Sequence, residues 1–144
     1  MEGAVKLENL MIAANCNTTT NALDFNSKAK LIAYSAANSI LILDPYHVQG
    51  SVPKVLFSLR GHTDRVNAVQ WINDRTLVSV SSDKSWIVWA FEEGKDPRNP
   101  ESWNFMRRYA EAHDLAINYL RTYSPTEGEL YILTMCVGGT LKLW

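Results

Sequence analysis

Apolar and polar residues recur in the same order in three stretches of the chain, which align without a gap. They are residues 31–43 (LIAYSAANSILIL), 77–89 (LVSVSSDKSWIVW) and 132–144 (ILTMCVGGTLKLW). Each contains an apolar segment, a short turn of small or polar residues, and a second apolar segment that closes on a large side chain. Strand-sized segments of this kind, rich in β-branched and aromatic residues, predict one β-hairpin in each stretch.

The spacing of the three hairpins is 46 and 55 residues, and a repeat of about this period is typical of β-propellers. We therefore predict an all-β chain made of propeller blades, each a sheet of four antiparallel strands. Blade one is expected at about 21–60, blade two at about 61–110 and an incomplete blade three at about 111–144. Because a propeller closes with about four to eight blades, we expect the chain to be the N-terminal portion of a larger, seven-bladed propeller.

The segments around the hairpins supply the remaining strands. Residues 65–71 (RVNAVQW) alternate apolar and polar side chains, as a half-buried inner strand does. Asp44 and Pro45 are predicted to end the third strand of blade one, since proline cannot donate to a ladder. The apolar run 9–14 is expected to complete the last blade. The insertion 92–102 (EEGKDPRNPES) is predicted to be a surface loop, either a partner-binding segment or an excursion into solvent.

Charge and cysteine content narrow the function. The net charge is −1 and the charged residues are spread along the chain, so no strong attraction to nucleic acid backbones is expected. No apolar run is long enough for a signal peptide or a membrane span. Cys16 and Cys136 are far apart and belong to no CxxC pair, which indicates reduced thiols. The histidines and cysteines have no metal-ligand spacing, so neither metal nor cofactor is predicted.

One group of residues in blade two could carry chemistry. His62 stands just before the inner strand, and Asp83 lies in the turn between the second and third strands. Because these two connections emerge at the same face of a blade, we expect the two side chains to lie within hydrogen-bonding distance. A hydroxyl from Ser79 or Ser81 and the indole N–H of Trp89 would extend this network.

A histidine, an aspartate and a serine together resemble a hydrolase triad. A glycine-histidine before the first strand and an aspartate six residues before a closing tryptophan are also the pattern of WD repeats. The pattern decays between blades: Gly138 replaces the aspartate in blade three, and Ala37 replaces it in blade one. A packing network tolerates such decay and a catalytic site does not. We therefore predict a structural polar network of His62, Asp83, Ser81 and Trp89, and no catalytic residue.

Four arginines are candidates for contact with a partner. Arg107 and Arg108 lie together on the predicted outer strand of blade two, while Arg60 and Arg65 flank the glycine-histidine pair. Each could bind a phosphate or a carboxylate.

The combination of several segments points to a particular family. Residues 12–17 (IAANCN), 31–45 (LIAYSAANSILILDP) and 59–72 (LRGHTDRVNAVQWI), followed by LVSVSSDKSWIVW, closely resemble the N-terminal repeats of the second subunit of the Elongator complex. The resemblance covers most of residues 9–91. It implies a non-catalytic subunit of two propellers, in a complex that modifies wobble uridines of transfer RNA through another subunit.

The resemblance also implies partners. These are other Elongator subunits, chiefly the largest subunit and the catalytic subunit, with any contact to tRNA indirect and none to a membrane. It implies a cytoplasmic location, with the nucleus as an alternative. A second hypothesis within the same fold is a WD-repeat receptor that binds peptides or modified tails in ubiquitin ligase or chromatin complexes.

Overall fold

The computed structural model describes residues 16–49 and 52–144, and these residues form three antiparallel sheets. The first sheet comprises β1 (Leu23–Asn26), β2 (Leu31–Ala36), β3 (Ser39–Gln49) and β4 (Val52–Arg60). The second comprises β5 (Val66–Trp71), β6 (Thr76–Ser81), β7 (Trp86–Phe91) and β8 (Trp103–Tyr109). The third comprises β9 (Ile117–Tyr123), β10 (Tyr131–Cys136) and β11 (Leu141–Leu143). The strands of each sheet follow one another in chain order, so the predicted all-β architecture of meandering sheets is confirmed. The strand predicted at 9–14 lies outside the described residues.

The second sheet is buried on both faces, because it lies between the other two. On β6, Leu77 belongs to the apolar core shared with the first sheet, whereas Val78 belongs to the core shared with the third. On β7, Ile87 belongs to the core shared with the first sheet and Trp86 to the core shared with the third. Adjacent side chains of a strand point to opposite faces, so β7 carries an apolar residue at every position, whereas β6 places the buried Ser79 and Ser81 among its apolar residues.

The prediction that Asp44 and Pro45 end the third strand is wrong. Strand β3 continues to Gln49, and its pairing with β4 shifts register between Asp44 and Val48. The Asp44 carboxylate stabilises this bulge by accepting the backbone N–H groups of Tyr46 and His47, at 2.9 and 3.2 Å. Pro45 is tolerated because it lies inside the bulge, where no ladder donor is required.

Residues 92–102 form an ordered connection between β7 and β8. It ends in a 3₁₀ turn, Pro100–Ser102, in which the Glu101 N–H donates to the Asn99 side chain at 3.0 Å. The Glu92 N–H donates to the Ser102 carbonyl at 2.9 Å, which closes the base of the loop. Ser102 is buried, so the predicted surface loop also packs against the body of the protein.

Candidate functional site: a buried polar chain in the second sheet

Two connections at one edge of the second sheet bring His62 and Asp83 together. His62 lies between β4 and β5, and Asp83 lies in the turn between β6 and β7. The distance from His62 Nδ1 to Asp83 Oδ2 is 3.0 Å, within the hydrogen-bonding range expected from the sequence. The two side chains are only 1% and 3% exposed.

Ser79 extends this contact on the other side of the imidazole ring. Its Oγ lies 2.9 Å from His62 Nε2, and it accepts the indole N–H of Trp89 at 2.9 Å. Because the Nδ1 atom faces a carboxylate, Nδ1 carries the proton and Nε2 accepts the Ser79 O–H. The hydrogen bonds therefore run from Trp89 through Ser79 and His62 to Asp83, in what we call the polar chain.

Ser81 lies beside the polar chain and not within it. Its hydroxyl donates to the Asp64 carbonyl and accepts the Asp83 N–H, both at 3.0 Å. It thus fixes the backbone of the loop and the turn that carry His62 and Asp83. Of the two serines considered from the sequence, Ser79 supplies the bridging hydroxyl, and the assignment of Ser81 to that role is corrected.

The Asp83 carboxylate accepts hydrogen bonds from several groups of the site. Its Oδ2 accepts from His62, from the Thr63 N–H at 2.9 Å and from the Arg108 guanidinium at 3.1 Å. Its Oδ1 accepts the N–H and the O–H of Ser85, at 3.0 and 2.6 Å. Burial alone would raise the pKa of the Asp83 carboxyl, but the hydrogen bonds from His62, Ser85 and Thr63 outweigh it. The pKa of Asp83 therefore lies far below its ordinary value.

Asp83, His62 and Ser79 are hydrogen-bonded in the order of a hydrolase triad. The surroundings of the serine differ from those of a nucleophile. Ser79 is completely buried, and its oxygen already accepts the Trp89 N–H. A nucleophilic hydroxyl must reach a substrate carbonyl. The Ser79 oxygen has its acceptor capacity directed into the core and is not open to solvent.

The third sheet contains a polar chain of the same kind, but it lacks the carboxylate that Asp83 provides in the second sheet. Thr134 Oγ1 lies 2.8 Å from His113 Nε2 and accepts the Trp144 indole N–H at 2.8 Å. His113 Nδ1, the counterpart of the atom that donates to Asp83, is buried without a partner among the described residues. Burial lowers the pKa of His113, and the nearby charge of Lys142 lowers it further.

Restoring the missing carboxylate should stabilise the third sheet. We expect Gly138→Asp to raise the free energy of unfolding by about 0.5–1.5 kcal/mol, because it gives His113 Nδ1 an acceptor. A Cβ at position 138 would approach Leu115 Cδ1 to 2.8 Å. Leu115 is exposed and can move aside.

Denaturant unfolding of the full-length protein tests this, with Gly138→Ala as the matched control. Alanine brings the same Cβ but no acceptor, so the difference between the two variants isolates the hydrogen bond. A Gly138→Asp protein no more stable than Gly138→Ala would contradict the expectation.

The first sheet has no version of the polar chain. Its residues at the positions of Ser79, Asp83 and Trp89 are Ala33, Ala37 and Leu43. Asn17 instead ties its turn to the second sheet. The Asn17 Oδ1 accepts the Ala37 N–H at 3.0 Å, and Nδ2 donates to the carbonyls of Ala37 and Val66 at 2.9 and 2.8 Å.

The four arginines predicted as partner contacts differ in their surroundings. Arg108 is partly buried and donates to Asp83 and, at 3.2 Å, to the Gly61 carbonyl, so it is engaged within the second sheet. Arg60, Arg65 and Arg107 are exposed. Arg107 lies over the Tyr109 ring at 4.6 Å from its centroid, and Arg65 donates to the Thr18 hydroxyl at 3.2 Å. Their role as partner contacts stays a prediction.

The sequence pattern did not indicate Ser85 or Arg108 as partners of Asp83. Ser85 had a local signal, since a serine two residues after an aspartate can donate to it within a turn. Arg108 had none, because it lies on a different strand, 25 residues from Asp83 in the sequence.

Residues 16–49 and 52–144 contain no group of three or more metal-ligating side chains. Cys16 and Cys136 are both free thiols. Within the same residues, no helix is long and apolar enough to cross a membrane.

Comparison with known proteins identifies the class of fold. Residues 53–90 match the family described as WD domain, G-beta repeat. The crystal structure of the β-propeller domain of Cps50 (Swd1) from Myceliophteria thermophila superposes with a TM-score of 0.58, at 13% identity. The match covers 96% of this chain and 41% of that one. Residues 53–90 thus match a WD repeat, and the chain has a β-propeller fold.

Its relatives within that class share one name. Elongator complex protein 2 of Drosophila melanogaster is 32% identical over 140 residues, which are 97% of this chain and 16% of that protein. The proteins of the same name from Dictyostelium discoideum and Saccharomyces cerevisiae are 28% and 24% identical, each over 92% of this chain and 15% of theirs. The resemblance to the second Elongator subunit is thus confirmed over nearly the whole chain, which spans about a sixth of the relatives' length.

Proposed function

We propose that the protein is a non-catalytic scaffold subunit of an Elongator-type complex. The observation that carries the proposal is the similarity to Elongator complex protein 2 along 97% of the chain. The polar chain supports it, because Trp89, Ser79, His62 and Asp83 direct their polar atoms at one another inside the second sheet. In this reading the polar chain stabilises a blade, and surfaces of the propeller bind partners.

The proposal extends to the rest of the complex. The partners would be the largest subunit and the catalytic subunit, and the assembly would modify wobble uridines in tRNA, with contact between this subunit and tRNA indirect. The three sheets would be blades one, two and three, at about 21–60, 61–110 and 111–144. The location would be the cytoplasm, with the nucleus as an alternative.

The exposed arginines are the candidates for partner contact. Arg60, Arg65 and Arg107 have no carboxylate partner among the described residues, so their charge is available to an acidic surface. Arg108 is a weaker candidate, because its guanidinium is held by Asp83 and the Gly61 carbonyl.

A His62→Gln variant of the full-length protein tests the non-catalytic role. Glutamine keeps polar atoms in the polar chain but cannot act as a general base. We expect the tRNA-modifying activity of the reconstituted complex to be unchanged when it is normalised to the amount of assembled subunit. Any loss of total activity should follow the loss of folded protein.

Wild-type subunit at matched occupancy provides the reference. A folded and assembled His62→Gln complex with activity lowered by about 100-fold would overturn the proposal. A loss of that size is what removal of a general acid or base causes.

A further inference from the structure

The first sheet has a buried apolar core, but it lacks the polar chain that stabilises the second sheet. Ile40 and Ile42 are completely buried, although Leu43 occupies the position of Trp89. The Ser35 hydroxyl is buried without a partner among the described residues. A different polar contact follows directly after Leu43, at Asp44.

Asp44 holds an ion pair with the second sheet's loop. Its side chain is 3% exposed, and its Oδ2 accepts from Arg98 Nε at 2.6 Å. Burial alone would raise the pKa of the Asp44 carboxyl, but the Tyr46 N–H and the Arg98 guanidinium outweigh burial and lower it. A buried carboxylate is stable only when it is paired and hydrogen-bonded. Arg98 therefore provides the cationic partner that the Asp44 carboxylate on β3 requires.

Residues 92–102 hold Arg98 in position. The Arg98 N–H donates to Asp96 Oδ1 at 3.0 Å, and the Ser102 hydroxyl donates to the Asp96 carbonyl at 2.8 Å. The Trp103 indole N–H donates to the Pro97 carbonyl at 2.9 Å. The Trp103 ring also packs against Phe57 of the first sheet, with centroids 6.1 Å apart. The loop is therefore built to contact the neighbouring sheet.

We propose that residues 92–102 form an inter-sheet strap, through which Arg98 supplies from the second sheet the polar anchor that the first sheet lacks. The strap holds Asp44 beside the register shift of the β3–β4 hairpin, where the bulge at Tyr46 and His47 depends on the same carboxylate. This inference rests on the geometry of the two sheets and is independent of the proposed function.

Hydrogen exchange in the full-length protein tests the strap. In Arg98→Gln, Asp44 loses its countercharge and the bulge should open more often. We expect the exchange rate of the Tyr46 and His47 amides to rise about tenfold or more, since local openings respond to local loss of contacts. The amides of β10 (Tyr131–Cys136), which do not touch the strap, should be unchanged.

Lys95→Gln is the matched control, because Lys95 lies in the same loop and, among the described residues, forms its ion pair with the exposed Glu92. It should leave the exchange of Tyr46 and His47 unchanged. Adding Arg98→Gln to an Asp44→Asn protein should produce little further change, because the ion pair is already absent. Should Arg98→Gln fail to accumulate as folded protein, Arg98→Lys, which keeps the charge but loses the guanidinium, should still raise the exchange of the same two amides, by a smaller factor.

Two results would overturn the strap. One is exchange at Tyr46 and His47 that is the same in Arg98→Gln and Lys95→Gln. The other is a uniform rise in exchange across all three sheets, which would show a global loss of stability. Unchanged exchange together with weaker binding of the complex's other subunits would assign the loop to partner recognition instead.

Discussion

Replacing Trp89 with alanine is expected to lower the free energy of unfolding by about 3–5 kcal/mol, the range for truncating a buried large aromatic side chain. Trp89 is 3% exposed and lies in the core between the first and second sheets. Its ring packs edge-on against Phe105, with centroids 5.4 Å apart. The substitution also removes the N–H that Ser79 accepts, which adds a cost of buried polar groups to that of the cavity.

Equilibrium unfolding of the full-length protein in urea measures this loss, with Tyr46→Ala as the control. Tyr46 is 68% exposed, so its truncation should change the free energy of unfolding by no more than about 0.5 kcal/mol. A loss below about 1 kcal/mol for Trp89→Ala would mean that the tryptophan does not anchor the second sheet.

The sequence predicted the parts of the fold that follow from periodicity. Three hairpins that align without a gap became three antiparallel sheets, because repetition of apolar segments and turns is a local signal. The contact of His62 with Asp83 was predictable for a similar reason, since both lie in connections that must emerge at one edge of the same sheet.

The features that could not be predicted depend on breaks in that regularity. The extension of β3 past Pro45 requires a bulge held by the Asp44 carboxylate, and a proline ordinarily signals the end of a strand. The contact of Arg108 with Asp83 joins side chains 25 residues apart, and no repeat position indicates it. The pairing of Arg98 with Asp44 joins residues that are far apart in sequence and belong to different sheets. No local pattern carries such information.

Replacing Asp83 with asparagine should be about as costly as removing Trp89, through electrostatics and not packing. Breaking a buried ion pair by removing one partner costs about 3–5 kcal/mol. Asp83 faces both His62 and Arg108, and its side chain is 3% exposed. An asparagine at this position keeps the shape of the side chain but loses the charge, and its NH₂ group would face donors where an acceptor is required.

This cost should depend on pH in a defined direction. The pKa of Asp83 is lowered in the folded protein, so the folded state binds a proton less readily than the unfolded chain, whose aspartates titrate near pH 3.9. The stability that Asp83 contributes is therefore fully present above that unfolded value and is lost as the pH falls through the folded one. The difference in unfolding free energy between wild type and Asp83→Asn should be constant from pH 7 to about pH 5, and should narrow below about pH 4.

Urea unfolding of the full-length protein at pH 7, 5, 4 and 3 gives this difference directly. Asp74→Asn is the matched control, because Asp74 pairs with Lys28 at the surface, where the two side chains are 58% and 75% exposed. Exposed pairs of this kind contribute at most about 1 kcal/mol, so this variant should remain close to wild type at every pH. If Asp83→Asn were no more destabilising than Asp74→Asn at pH 7, or if its cost grew as the pH fell, the carboxylate would not be the charge that holds the polar chain together.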